Sequence, residues 1–255
     1  MKKGKHRKSN KKIILIIILI ISLLYIAYWI YSDYKDLKTN KNLQDSISKI
    51  EEQNNVDISP KAQEIIQLEE FNKQNSDIIG WLKIEDTNID YPVLQTDNND
   101  FYLTHNYLKE YSKSGSLFLD KDFNLSKPSS NYLIYGHRNT NGLMFEDLLK
   151  YTNEDFYNTH KIIQFTTLEQ NSKYEILAIF YSRVYYKSEK NVFRYYYFVN
   201  ANNEEEYSNF INNCKKYSIY DTGVTATYGE QLLTLSTCEY SREDGRFAVV
   251  AKKIN

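Results

Sequence analysis

An uncharged apolar stretch near the N-terminus constrains the fold more than any other feature of the 255-residue sequence. Residues 13–31 read IILIIILIISLLYIAYWIY, and Ser22 is the only strongly polar side chain among them. A helix of this length spans about 28 Å, which matches the hydrocarbon core of a bilayer. Residues 13–31 are therefore predicted to form a transmembrane helix.

The residues before this helix predict its orientation. Residues 1–12 contain seven lysine and arginine side chains and no acidic one. Because basic flanks stay in the cytoplasm, we expect a cytoplasmic tail at 1–12 and an external location for everything after residue 31. A cleaved signal peptide is the alternative. The apolar run is longer than a usual signal-peptide core, and residues 25–31 offer no small-x-small cleavage site, so an uncleaved single-pass signal anchor is favoured.

The charge of the remaining chain argues against a nucleic-acid partner. Residues 13–255 contain 25 basic and 33 acidic side chains, although the whole chain has a formal net charge of only −1. Domains that bind nucleic acid present clustered basic side chains, and this acidic balance does not favour such a patch.

The chain after the anchor is divided into a linker and one domain. Residues 32–58 are polar and are interpreted as a juxtamembrane linker or helix. Ser59 followed by Pro60 is typical of a helix start, and a helix is predicted through about Asn72. The external domain is therefore placed at residues 59–255.

Within this domain, short runs rich in Ile, Leu, Val, Tyr and Phe alternate with clusters of Asn, Asp, Ser and Gly, as in mainly β proteins. Eight such runs are predicted strands: 79–84, 90–95, 116–120, 131–137, 161–167, 173–183, 231–238 and 246–254. Helical pieces are predicted at 100–106, 144–157 and 203–217. This pattern favours a closed eight-stranded β-barrel with short helices, in which Pro92 is expected at an edge, a strand start or a bulge.

The two cysteines have different surroundings. Cys214 follows Tyr207, Phe210 and Ile211 at helical spacing, which predicts a core position in an amphipathic helix. Cys238 instead ends the apolar strand QLLTLSTC. An external location also permits a disulfide between Cys214 and Cys238, and this alternative stays open at this point.

The position of Cys238 suggests chemistry. Seven residues, 239–245, separate it from Arg246 at the start of the next strand, and a hairpin of this length brings the two side chains to the same end of neighbouring strands. A guanidinium beside a thiol favours the thiolate and can stabilise an oxyanion. Among the four histidines, His137 ends a strongly apolar strand, so it is the best candidate for moving protons.

These residues resemble the sortases, the membrane-anchored cysteine transpeptidases of Gram-positive bacteria. The resemblance is carried by TLSTC at 234–238, Arg246-Phe247 and Tyr135-Gly136-His137, and it covers about residues 70–255. The helical extension at 59–72 and the helix at 203–217 are most similar to class B sortases, and a class D-like enzyme is the alternative. The resemblance implies a sortase-type barrel.

The resemblance also implies roles. Cys238 would be the nucleophile, His137 the general acid and base, and Arg246 the stabiliser of the oxyanion. The enzyme would cleave the C-terminal sorting signal of a secreted protein after threonine, form a thioacyl intermediate and transfer it to a peptidoglycan amine, with peptide hydrolysis as a side reaction. No metal or organic cofactor is expected.

Substrate contacts are expected near the nucleophile and in two loops. The predicted contacts are Ser236, Thr237, Glu239, Asn98, Leu103 and Tyr195, the last in a segment, 184–228, that would wall the groove. The sorting motif stays open between NPxTx, SPxTG and other forms. The alternatives to a sortase are a cell-wall cysteine peptidase and a membrane-anchored, non-catalytic β-barrel binding module in which the cysteines are bridged.

Overall fold

The apolar stretch forms part of a long helix. In this computed structural model, which describes residues 5–53, 60–127, 129–139, 141–241 and 243–255, helix α1 spans Lys5–Gln53. The side chains of residues 11–31 are all exposed, and α1 is long and apolar enough to cross a membrane. Residues 32–58 are predicted to be a juxtamembrane linker or helix, and those up to Gln53 continue α1. Residues 54–58 and the predicted cap Ser59 lie outside the described residues.

The second half of α1 packs on the domain. Its buried side chains recur at helical spacing, which places them on one face: Ser32, Asp36, Leu43 and Ile47. Helix α2 then spans Pro60–Gln74 and buries Leu68 and Phe71 against the barrel. Within the described ranges, α1 and α2 thus both precede the first strand.

The predicted eight-stranded barrel is confirmed. The strands are β1 (Ile78–Lys83), β2 (Asp90–Leu94), β3 (Leu117–Leu119), β4 (Asn131–Tyr135), β5 (Ile162–Thr167), β6 (Asn171–Arg183), β7 (Leu232–Cys238) and β8 (Gly245–Lys253). They close in the order β1-β2-β3-β4-β7-β8-β6-β5. The β2–β3 and β4–β7 pairs are parallel, and the other pairs are antiparallel. Phe165, Phe180 and Phe247 are among the fully buried side chains of the core.

Pro92 lies inside β2, opposite Trp81 of β1. On its other side, β3 pairs only with Val93 and Leu94. Pro92 therefore needs no backbone N–H toward β3, and its position is equivalent to an edge, one of the three predicted arrangements.

The helical connections are shorter than the sequence predicts. The segment 100–106 contains only a 3₁₀ turn at Phe101–Leu103, and 144–157 contains a 3₁₀ helix at Glu146–Thr152 followed by α3 at Glu154–Thr159. The predicted helix between β6 and β7 is present as α4, Glu204–Tyr217. Asn203 caps it, because its side-chain oxygen accepts a 2.9 Å hydrogen bond from the Glu206 amide.

Candidate active site

Cys238 and Arg246 are directly opposite each other in the β7–β8 ladder. Cys238 is the last residue of β7, and Arg246 is the second residue of β8. Opposite residues of an antiparallel pair point to the same face, with Cβ atoms about 4.5–5.5 Å apart. Both side chains line one groove of about 330 Å³ at the end of these strands. The guanidinium and the sulfur therefore face the same space.

His137 reaches this groove from β4, which runs parallel to β7. The ladder pairs Asn131 with Leu232 and continues in register to Tyr135 and Ser236. His137 and Cys238 each lie two residues after the last pair of this ladder, at the adjacent ends of the two strands. Both line the groove. The parallel register of β4 and β7 thus brings histidine and cysteine together although about a hundred residues separate them in the sequence.

The His137 ring is oriented by a backbone contact. Its Nε2 lies 2.8 Å from the carbonyl oxygen of Leu103. A carbonyl can only accept, so this hydrogen bond requires a proton on Nε2 and leaves Nδ1 of the neutral ring as the proton acceptor. The main chain is also held, because the His137 carbonyl accepts a 2.9 Å hydrogen bond from the Phe145 amide.

The glycine before His137 is required by a close approach. A Cβ atom at Gly136 would lie 2.3 Å from Leu117 Cδ2 and 2.7 Å from Phe145 Cδ2. Because Gly136 has no Cβ atom, its amide can donate a 3.1 Å hydrogen bond to the Ser236 carbonyl. This bond extends the β4–β7 contact by one residue. The backbone can then deliver His137 next to the end of β7.

The Arg246 side chain is held by the backbone at the start of β8. One guanidinium nitrogen, Nη1, donates a 2.9 Å hydrogen bond to the Gly245 carbonyl. A guanidinium carries five N–H donors in a rigid fork, so donors remain for a second acceptor. This arrangement suits the stabilisation of an oxyanion formed beside Cys238.

The sulfur of Cys238 is not bridged. Both cysteines are free thiols, with Cys238 partly exposed and Cys214 buried in α4. Burial raises the pKa of the Cys214 thiol well above its ordinary value, which keeps it protonated and unreactive. Within the described ranges, no group of three or more His, Cys, Asp and Glu side chains could hold a metal ion.

A thiol, an imidazole and a guanidinium in one groove of a closed barrel are consistent with a cysteine transpeptidase. The sortase domain model matches residues 82–254 of the chain. The chain belongs to the sortase family. The resemblance seen in the TLSTC motif is thereby confirmed.

The relatives place this sortase with class B. Sortase B of Listeria monocytogenes is 33% identical over 190 residues, which cover 74% of each chain. The structure of a Staphylococcus aureus sortase B–substrate complex is 28% identical and has a TM-score of 0.72 over 88% of this chain and 98% of that one. A sortase B complexed with triglycine is 29% identical, with a TM-score of 0.73 over 88% of this chain and 99% of the other.

The segment between β6 and β7 contributes one wall of the sortase groove. The 3₁₀ turn Tyr195–Tyr197 lines it, with Tyr195 fully buried and Tyr197 largely exposed. The Tyr195 hydroxyl lies 2.7 Å from the Ser236 hydroxyl, so this wall is tied to the strand that carries the nucleophile. Burial raises the pKa of Tyr195, and its phenol stays neutral.

The other predicted substrate contacts have different positions. Leu103 and Thr237 line the groove, together with Ser236, whereas Asn98 and Glu239 are not among the lining residues. The Asn98 side-chain oxygen accepts hydrogen bonds of 2.9 Å and 2.8 Å from the amides of Asp100 and Phe101, at the start of the 3₁₀ turn. Glu239 is buried and accepts from the amide and hydroxyl of Ser241.

The groove has further lining residues that were not named individually as substrate contacts. Asn99, rather than Asn98, lines the groove, and its side-chain Nδ2 donates a 3.0 Å hydrogen bond to the Asp120 carboxylate. Tyr135 also lines it and donates a 3.0 Å hydrogen bond to the same carboxylate. Burial raises the pKa of this phenol. Tyr135 could have been found, because it lies two residues before His137 on the strand predicted at 131–137, where alternate side chains share a face. No pattern in the loop distinguishes Asn99 from its neighbours.

Proposed function

We propose that this sortase uses Cys238 as its nucleophile, His137 as general acid and base, and Arg246 as the stabiliser of the tetrahedral oxyanion. The observation that carries the proposal is the direct pairing of Cys238 with Arg246 in a groove that His137 also lines. These are the groups that acyl transfer to sulfur requires: a nucleophile, a proton carrier and an oxyanion donor.

The proposed reaction has two halves. The Cys238 thiolate attacks the carbonyl carbon of threonine in a sorting signal, Arg246 donates hydrogen bonds to the oxyanion, and His137 protonates the departing amine to leave a thioacyl enzyme. His137 then removes a proton from a peptidoglycan amine, which attacks the thioester and releases Cys238. The structures of sortase B with a substrate and with triglycine support these two kinds of substrate by family analogy.

When an amine is scarce, water takes its place and the thioester is hydrolysed. The carbonyl carbon then bonds to the water oxygen, the sulfur leaves with the electron pair of the C–S bond, and His137 accepts the proton. Hydrolysis of the signal is therefore proposed as a slower side reaction at the same three residues.

The groove supplies the proposed contacts for the signal. Leu103, Tyr195, Ser236 and Thr237 lie in its walls or floor, so a peptide that reaches Cys238 passes them. Asn98 and Glu239 stay predictions as substrate contacts.

The proposed topology follows from α1. Residues 1–12 form a cytoplasmic tail, 13–31 a transmembrane anchor, and 59–255 an external catalytic domain, joined through residues 32–58. The exposed apolar surface of α1 supports the anchor, and the basic side chains before it support the orientation. Secreted proteins and peptidoglycan would then both be accessible from the outer side of the membrane.

The test is a panel of quenched-fluorophore peptides with NPxTx, SPxTG and related motifs, assayed with the full chain in detergent. We expect cleavage after threonine for a subset of motifs, formation of an amide when triglycine is added, and no turnover by Cys238→Ala. Cleavage of wall peptides without a sorting motif and without transfer would favour a cysteine peptidase. Inertness of the folded protein toward every peptide would favour a binding module.

A further inference from the structure

A loop of the barrel lies against the anchor helix at the level of its aromatic end. The loop comprises residues 107–114 between β2 and β3, and the Lys113 Nζ lies 5.3 Å from the centre of the Trp29 ring and 5.5 Å from that of Tyr28. Both rings belong to the apolar stretch 13–31. Tyrosine and tryptophan are enriched where a membrane helix crosses the headgroup layer.

The depth of this contact follows from helix geometry. Trp29 precedes the end of the apolar stretch by two residues, which corresponds to about 3 Å along a helix axis. Ser32, the first buried side chain of α1 after this stretch, immediately follows it. The barrel therefore has no spacer between itself and the predicted membrane boundary, and the 107–114 loop reaches that boundary.

Two polar contacts hold the loop in this position. The Asp36 carboxylate accepts hydrogen bonds from the amide and the hydroxyl of Ser114, both 3.0 Å long, and all three groups are buried. Next to Asp36 in the sequence, Lys35 forms an ion pair with Glu110, with 3.4 Å between Nζ and Oε2. The loop is thus fixed to α1 next to the apolar stretch.

The loop also has a tight internal turn. The amide of Asn106 donates to the Glu110 carbonyl at 2.8 Å, and the Lys109 amide donates to the Asn106 carbonyl at 2.9 Å. This turn leaves two large side chains exposed, Leu108 at 45% and Tyr111 at 52%. Exposed apolar side chains on a loop beside a membrane helix are typical of an interfacial contact.

The Lys113 ammonium also lacks a hydrogen-bond partner among the described residues. Its nitrogen is shielded from water. A buried ammonium is costly without an acceptor, and the two aromatic rings provide only cation–π attraction. The phosphate oxygens of phospholipids are the acceptors present at this depth, and lysine side chains extend toward them at helix ends.

We propose that the 107–114 loop is a second membrane contact of this sortase, in which Lys113 binds the phosphate of an outer-leaflet phospholipid beside Tyr28 and Trp29, and Tyr111 lies in the same headgroup layer. This proposal rests on the anchor topology proposed above, and it is independent of the chemistry at Cys238. The contact would hold the barrel in one orientation on the membrane, because a single helix leaves rotation of an attached domain unrestricted whereas two contacts do not.

The depth of the loop can be measured in the full chain, reconstituted in phosphatidylcholine and phosphatidylglycerol vesicles that contain lipids brominated near the headgroup. A fluorophore is attached to Tyr111→Cys or, as the control, to Asn212→Cys on α4, both in a Cys238→Ala background. Cys214 is fully buried and escapes labelling. We expect strong quenching at position 111 and little at position 212. Equal quenching at the two positions would overturn the proposal.

The anchor has its own readout in the same vesicles. The difference in tryptophan fluorescence between the wild type and Trp29→Phe is the emission of Trp29. Its quenching by the brominated lipids reports on α1 alone. Quenched Trp29 with an unquenched label at position 111 would refute the loop contact and leave the anchor intact. Unquenched Trp29 would refute both the anchor and the loop contact, while the peptide assay would still decide the enzymatic proposal.

Lys113 is tested by the phospholipid that stays bound to the full chain in native mass spectrometry. Loss of one positive charge near a phosphate weakens binding by about 1 kcal/mol, which is about fivefold. Lys113→Gln should therefore retain less phospholipid than the wild type, and Lys113→Arg should retain a similar amount. Equal retention by Lys113→Gln would show that the lysine only packs on the rings, and this would overturn the phosphate assignment.

Discussion

The hydroxyls of Tyr195 and Ser236 are 2.7 Å apart in the buried layer behind the nucleophile. Tyr195 belongs to the wall between β6 and β7, and Ser236 lies two residues before Cys238 on β7. Neither side chain has appreciable contact with solvent. The hydrogen bond therefore connects the wall of the groove to the strand that presents the thiol.

Removing one of these hydroxyls should destabilise the barrel. Tyr195→Phe leaves the Ser236 hydroxyl buried without this partner, and we expect a loss of about 1–3 kcal/mol in the free energy of unfolding. The combination with Ser236→Ala removes both polar groups and should cost less than the sum of the two single changes. Urea unfolding of the four proteins measures this difference. Strict additivity would show that the two hydroxyls are not coupled.

Gly136 should tolerate no side chain. Gly136→Ala places a methyl group against Leu117 and Phe145, and overpacking of this kind costs about 1–3 kcal/mol. The displacement also moves His137, and a shift of about 1 Å in a catalytic group can lower activity about 10²-fold. Peptide cleavage per folded molecule is the measurement.

The control for this change is Gly229→Ala. Gly229 has a φ of +98°, but a Cβ there would have no atom within 4 Å, and it lies outside the groove. We expect lower stability from backbone strain and unchanged activity of the folded protein. If Gly136→Ala behaves like Gly229→Ala, the close packing at Gly136 has no role in positioning His137.

Alkaline pH should destabilise the fold through its buried tyrosines. Burial, with smaller contributions from Asp90 and Asp147, raises the pKa of Tyr91 from 10.0 to about 12. The stabilising effect of the neutral phenol is therefore fully present below pH 10 and is lost as the pH rises toward 12. At pH 11, the raised pKa of Tyr91 should lower the free energy of unfolding by about 1 kcal/mol. Urea unfolding should show that the free energy of unfolding falls less between pH 9 and pH 11 for Tyr91→Phe than for the wild type. An equal decrease in the two proteins would place Tyr91 in a more solvated site.

The sequence predicts those parts of the fold and site that depend on local patterns. The strand runs, the amphipathic face of α4 and the short connection from Cys238 to Arg246 are visible from residue types alone. His137 is visible as the polar end of an apolar strand. Its proximity to Cys238 depends on the parallel β4–β7 pairing, which no local pattern determines. Here the family resemblance, rather than periodicity, supplied the connection.

Two features were beyond sequence reasoning for a physical reason. The polar composition of residues 32–53 does not reveal that Asp36 is buried, because its partner Ser114 belongs to the distant 107–114 loop. Asn99 and Phe118 line the groove through the β2–β3 pairing and the long loop between these strands. Both features depend on contacts between distant segments, and neither has a periodicity of its own.

Replacement of Arg246 should affect the transition state more than the fold. We expect Arg246→Ala to lower kcat/KM by about 10²-fold, or about 3 kcal/mol, by analogy with the loss of an oxyanion donor. Arg246→Lys keeps the charge but loses the planar fork, so its activity should be intermediate. Steady-state peptide cleavage measures both, and thermal unfolding checks the fold. Activity of Arg246→Ala within a few-fold of the wild type would assign the oxyanion to another donor.

The thiol of Cys238 is proposed to hold the acyl group between the two peptides. Intact-protein mass spectrometry after mixing with a cleavable sorting peptide can detect this species. We expect a mass increase equal to the acyl fragment, localised to Cys238, that disappears when triglycine is added and a new amide is formed. Cys238→Ala should show no adduct. Transfer that proceeds without a Cys238 adduct, or in Cys238→Ala, would exclude Cys238 as the acyl carrier.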